Sequence, residues 1–138
     1  MKKFSQRSLD NLKGVHPHLV KVMEDAIVNS PVDFTITEGV RTVARQQELY
    51  AQGRTTTGAI VTQMDGVNKK SNHQPKTDGY GYAVDLYPFV DGSVRVNDVS
   101  NLKKIADHIK KVANKLGYQV EWGGDWKMLD YPHFELKN

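Results

Sequence analysis

Gln119-Val120-Glu121-Trp122-Gly123-Gly124-Asp125-Trp126-Lys127-Met128-Leu129-Asp130-Tyr131-Pro132-His133-Phe134-Glu135-Leu136 is the stretch that decides how this chain folds. Gln119 to Trp122 reads as a strand, Gly123 to Trp126 as a tight turn, and His133 to Leu136 as a closing strand. Two strands this close in sequence run antiparallel, because a parallel pair needs a long crossover. Along the closing strand His133 and Glu135 share one face, and Phe134 and Leu136 pack on the other. A polar pair facing inward is unusual for a surface edge. Asp130 lies three residues before His133, with Pro132 holding Tyr131 extended between them. Carboxylate and imidazole can then address one centre from two sides.

Outward from this hairpin, Leu102, Ile105, Ile109, Val112 and Leu116 keep a 3-4 spacing, with Ser100 or Asp98 able to cap and Gly117 to end the helix. Ala83 to Pro88 reads as a strand, and Ser93 to Val96, after Asp91-Gly92, as its hairpin partner. Pro17 to Asn29 predicts a helix with Pro17 in its first turn, and Phe34 to Thr37 a strand closed by Glu38-Gly39. Ala44 to Gln52 follows as a short helix with Leu49 and Tyr50 inward, which leaves Arg41 at a strand-to-helix junction where polar residues can face a cleft. Arg54 to Tyr82 has little periodicity and reads as a long loop, a kind of segment that is usually functional or mobile. The expected fold is α+β, with a small antiparallel sheet flanked by helices.

At 138 residues the chain is expected to form one domain, 1–138, since domains run to roughly 150 residues. There is no cysteine, which excludes disulfides, thiol nucleophiles and Cys-based metal sites and leaves any metal to His, Asp or Glu. The net charge of +3 is a mild bias toward anionic partners, but the charges are interspersed, without the basic block or basic-aromatic stripe of a nucleic-acid reader. No window is apolar enough to span a membrane. The basic start Met1-Lys2-Lys3 leads into no apolar segment, so no signal peptide is expected.

Asp85 interrupts the apolar run Ala83-Val84-Asp85-Leu86. A carboxylate buried there needs a partner, either an ordinary salt bridge or turn cap, or a cation. His73 sits in the long loop, where a solvated histidine is the plain reading. His16 and His18 stand at a helix entrance and His108 beside an apolar stripe, as surface, capping or boundary residues. Taken together, His73, Asp85 and His133 are two imidazoles and a carboxylate, a set that zinc accepts with a fourth position left open, as in catalytic rather than structural sites.

Ser71-Asn72-His73, Gly81-Tyr82-Ala83-Val84-Asp85-Leu86, Trp122-Gly123-Gly124-Asp125-Trp126 and Asp130 to Leu136 resemble, in matching order, the signature segments of zinc-dependent peptidoglycan peptidases. That superfamily includes D-alanyl-D-alanine carboxypeptidases and L-alanyl-D-glutamate endopeptidases. The short form without a signal peptide is similar to bacteriophage endolysins. The resemblance implies His73, Asp85 and His133 as ligands of one Zn2+ in a cleft on the sheet. It implies Asp130 as general base and Arg41 as the group that steadies the substrate carbonyl or developing oxyanion. Ser71 and Glu135 take supporting places, Ser71 orienting the His73 loop and Glu135 beside His133. The eleven residues from Gln74 to Val84 exceed the gap in compact members, so the cleft is expected to be reshaped there.

The activity implied is hydrolysis of the peptidoglycan stem peptide between L-Ala and D-Glu, by a monomer with no separate wall-binding domain. Its place would be the host cytoplasm until a separate membrane pore gives it access to the wall, and its effect host cell lysis. Release of terminal D-Ala by the same site is the alternative, and a non-catalytic, zinc-stabilised wall-binding domain is the alternative from another class.

Overall fold

Val84, Leu86, Phe134 and Leu136 are buried and apolar, and they alternate along two paired strands with Asp85, His133 and Glu135. Because strand side chains point to opposite faces in turn, this alternation gives the sheet one apolar and one polar face. The computed structural model describes residues 2–137. Its elements are α1 (Gln6–Asn11), α2 (Pro17–Asn29), β1 (Phe34–Glu38), α3 (Val43–Ala51), β2 (Ala83–Val90), β3 (Ser93–Val94), α4 (Val99–Leu116), β4 (Gln119–Trp122), a 3-10 turn (Gly123–Asp125) and β5 (His133–Lys137). The strand order is β1-β2-β5-β4, with β3 paired to the far end of β2, and every pairing is antiparallel. The α+β architecture expected from the sequence is the one observed.

The apolar face is covered by α2 and α4. Leu19, Val22, Met23, Ala26 and Ile27 of α2 and Leu102, Ile105, Ala106, Ile109 and Ala113 of α4 are buried with Phe34, Ile36 and the strand residues above in one cluster. Asp98 caps α4 by accepting from the Asn101 amide at 3.1 Å, and Gly117 ends it at φ +83°, a left-handed conformation that costs glycine little. His16 accepts from the His18 amide at the start of α2, and His18 stacks on Tyr118. His108 bonds the Ala26 carbonyl. No helix is long and apolar enough to cross a membrane among the described residues.

Two local expectations need correction, and one element lies outside them. The helix α1 is not anticipated by periodicity. It is six residues long, capped by Ser5, and it folds because Ser8 bonds both Thr35 and the Ile36 amide on the open edge of β1. Pairing of the Ser93–Val96 strand stops at Val94, as the chain turns toward the Asp98 cap. In α3, Leu49 and Tyr50 are only half-buried, and the residue that turns fully inward is Gln46.

Candidate metal centre

Antiparallel pairing sets Asp85 of β2 directly opposite His133 of β5, on the polar face. His73 reaches the same point from the long loop. Its segment is tied down by backbone bonds from Arg41 N to His73 O (2.8 Å) and from Tyr82 N to Asn72 O (2.7 Å), and by the Ser71 hydroxyl, which accepts from the His73 amide at 3.2 Å. The three donor atoms converge. His73 Nε2 lies 3.2 Å from His133 Nδ1 and 3.3 Å from Asp85 Oδ1, and His133 Nδ1 lies 3.5 Å from Asp85 Oδ1. Tetrahedral zinc with bonds of ~2.0–2.1 Å needs ligand atoms about 3.3–3.4 Å apart, so the spacing fits such an ion.

The tautomers also fit. His73 Nδ1 donates to the Gly39 carbonyl at 2.8 Å, and His133 Nε2 donates to Glu135 Oε1 at 2.9 Å, which leaves each inward nitrogen with its lone pair free for a cation. Both rings are buried, at 2% and 6% exposure, so two lone pairs and a carboxylate meeting there without a positive charge would repel. Glu135 is itself held by Asn72 and Lys137, each at 2.9 Å. Gly39 comes so close to α1 that a Cβ would lie 1.8 Å from the Asn11 carbonyl oxygen, so the carbonyl that aims His73 stands on a position only glycine fills.

Without a cation, a proton takes its place. Burial would lower the His133 pKa, but hydrogen bonds to Asp85 and Glu135 outweigh it and raise the value to about 9. Burial would raise Asp85, yet the His73 charge and the bond from His133 hold it well below the usual carboxylate range. Burial works against Glu135 as well, but bonds from His133, Lys137 and Asn72 bring it down to about 2. The raised His133 value stabilises the metal-free fold fully below pH 6.5, and that contribution is lost as pH rises to about 9. The shift corresponds to about 3 kcal/mol. The depressed carboxylates act in the other direction, stabilising above their ordinary values and losing this as pH falls toward 2. Chelator-treated protein should therefore melt at falling temperature between pH 6.5 and 9, whereas metal-loaded protein should not; parallel thermal melts will show it, and a flat metal-free profile would contradict it.

Asp130 stands on the open side of the triad, 3.9 Å from His133 Nδ1, with 49% of its side chain exposed. Partial burial, then the Asp85 charge, raise its pKa above the ordinary carboxylate value. Its backbone is anchored to Gly123 by the Asp130 N to Gly123 O bond (3.0 Å), and a Cβ on Gly123 would come within 2.2 Å of the Asp130 carbonyl oxygen. The Trp126 ring lies 5.0 Å from that of His133.

Arg41 is buried beside Asp85, and each guanidinium nitrogen is engaged. Nε and Nη2 clasp Glu38 at 2.9 and 3.0 Å, Nη1 bonds Gln46 at 2.8 Å and Ser71 at 3.5 Å, and Nη2 is 3.6 Å from Asp85 Oδ2. Gln46 in turn holds the long loop through Met64 O at 2.7 Å and Thr62 at 3.2 Å. The structure thus places all seven residues singled out in the sequence around one point. Sequence reasoning missed Glu38, Gly39, Gln46 and Tyr87. Tyr87 follows Asp85 by two on β2, and burial, then the charges of Asp85, Asp130 and Glu38, raise its phenol above the ordinary value. A single inward glutamine among the exposed and half-buried residues of α3 left no periodic signal.

Comparison with known proteins agrees with this geometry. The family model for phage L-alanyl-D-glutamate peptidase matches residues 1–137. The chain is 37% identical to the peptidoglycan L-alanyl-D-glutamate endopeptidase CwlK of Bacillus subtilis, over 96% of this chain and 81% of that one. It is 31% identical to the L-alanyl-D-glutamate peptidase of Escherichia phage T5, over 98% and 89%. Among solved structures, Serratia marcescens L-Ala D-Glu endopeptidase ChiX superposes with a TM-score of 0.73 at 34% identity, covering 97% of this chain and 89% of the other.

Proposed function

Because the chain belongs to the phage L-alanyl-D-glutamate peptidase family, we propose that it is a zinc-dependent endopeptidase that cuts the peptidoglycan stem between L-Ala and D-Glu. The observation that carries this reading is the convergence of His73 Nε2, His133 Nδ1 and Asp85 Oδ1, with Asp130 beside them on the open side. Zinc held by these three would polarise the scissile carbonyl and ease deprotonation of a water. Asp130 accepts the proton of the attacking water and returns it to the leaving amine. Arg41 braces Asp85 and Glu38 and sets a fixed positive charge beside the reacting carbonyl. Glu135 fixes the His133 tautomer, and Ser71 holds the His73 loop.

The slight positive charge of the chain suits an anionic polymer such as the wall. In a phage setting such a protein serves host lysis, reaching the wall through a pore that another protein makes. Purified peptidoglycan digested with the protein should yield free peptides beginning at D-Glu and leave L-Ala on the muramyl lactyl group. Chelator should stop the digestion, added zinc should restore it, and metal analysis of the purified protein should find one zinc per chain. Loss of single alanines alone would instead establish the carboxypeptidase reading.

A further inference from the structure

On β2 the polar face carries Asp85, Tyr87 and Phe89 in alternation. Tyr87 stands one pleat from the ligand Asp85, across from Thr35 of β1. Its ring rests against the apolar core, and the charges of Asp85, Asp130 and Glu38 act on its oxygen. Among the described residues the Tyr87 hydroxyl has no hydrogen-bond partner within the chain, and no buried side-chain oxygen or nitrogen is left without one. The hydroxyl is therefore open to solvent. A phenol one pleat from Asp85 on the same face of β2, with no partner among the described residues, is free to bond a molecule that lies across the centre. Arg41 is the opposite case, since its nitrogens are already bonded inside the protein.

Resting on the peptidase reading above, we propose that Tyr87 is a catalytic residue whose hydroxyl donates a hydrogen bond to the oxygen of the scissile carbonyl. As the water oxygen bonds to the carbonyl carbon, the π pair of the C=O bond moves onto the carbonyl oxygen and one water proton passes to Asp130. On collapse the C=O bond reforms, the C–N bond breaks, and the amine leaves with the proton from Asp130. Tyr87 keeps its proton throughout. Its bond strengthens as charge develops, so it lowers the barrier more than it tightens binding.

Tyr87→Phe removes one solvent-open oxygen and leaves the packed ring in place. With soluble peptidoglycan fragments bearing the intact stem, kcat should fall roughly a hundred- to a thousandfold, as on removal of single oxyanion donors elsewhere, while KM stays within about twofold. Zinc content and melting temperature should match those of the unaltered protein. A kcat within about twofold, a loss expressed in KM alone, or a loss of zinc would each overturn the assignment. Unaltered protein that released no peptide from the same fragments would overturn the functional reading and this assignment with it.

Discussion

Asp130→Asn will leave zinc content and melting temperature nearly unchanged and will lower peptide release by roughly a hundred- to ten-thousandfold. The substitution keeps the shape and removes only the ability to take a proton. Half of the side chain is exposed and it contributes none of the three converging donor atoms, so neither fold nor metal should register the change. Burial and the Asp85 charge raise its pKa above the ordinary carboxylate value, and Asn has no titrating group in its place. Peptide release by Asp130→Asn at the unaltered rate would sink the proposed proton path, and with it the role of the open side of the triad.

The second large effect belongs to the residues proposed as ligands. His73→Ala and His133→Ala should each abolish hydrolysis and lower zinc affinity by more than about a hundredfold, since losing a ligand exceeds the ~10–100-fold cost of losing a partner behind one. The two should differ in what they leave behind. Without His133, Glu135 keeps Asn72 and Lys137. Without His73, the Gly39 carbonyl loses the ring that donates to it. A buried acceptor left unsatisfied costs about 1–3 kcal/mol, and loss of His133 removes the proton held between Asp85 and Glu135, so both variants should melt below the unaltered protein in chelator near pH 6.5. Metal analysis and chelator melts on both variants test this. Full zinc content in either would remove that residue from the ligand set.

The large elements were legible because they are periodic. The 3-4 stripe of α4 and the alternation in β5 each state which face is apolar: Leu102, Ile105 and Ile109 are buried as the stripe names them, Val112 and Leu116 are half-buried, and Phe134 and Leu136 are buried on the apolar face. His73, Asp85 and His133 were legible by chemistry, as a donor set that lacks only proximity. What escaped depends on tertiary placement. Gln46 is buried because Arg41 and the Met64 carbonyl need its amide, not because of its own character. Glu38 read as the end of a strand, but the irregular register between Ile36 and Glu38 sets it opposite Asp85. Leu49 and Tyr50 were expected inward as apolar residues of a helix, yet among the described residues α3 turns only Gln46 fully in.

The position of β5 between β2 and β4 bears on how the molecule comes to fold. His133 pairs with Asp85, and Asp85 with Glu38, across long reaches of chain, so loop entropy must be lost before these contacts give anything back. A partly zipped sheet lacking β5 has no triad at all. A cation held in the centre would therefore reward only the finished topology: it could not seed folding as it does in a zinc finger, but it would latch the strands once they have met, and its effect would fall on the rate of coming apart rather than of coming together.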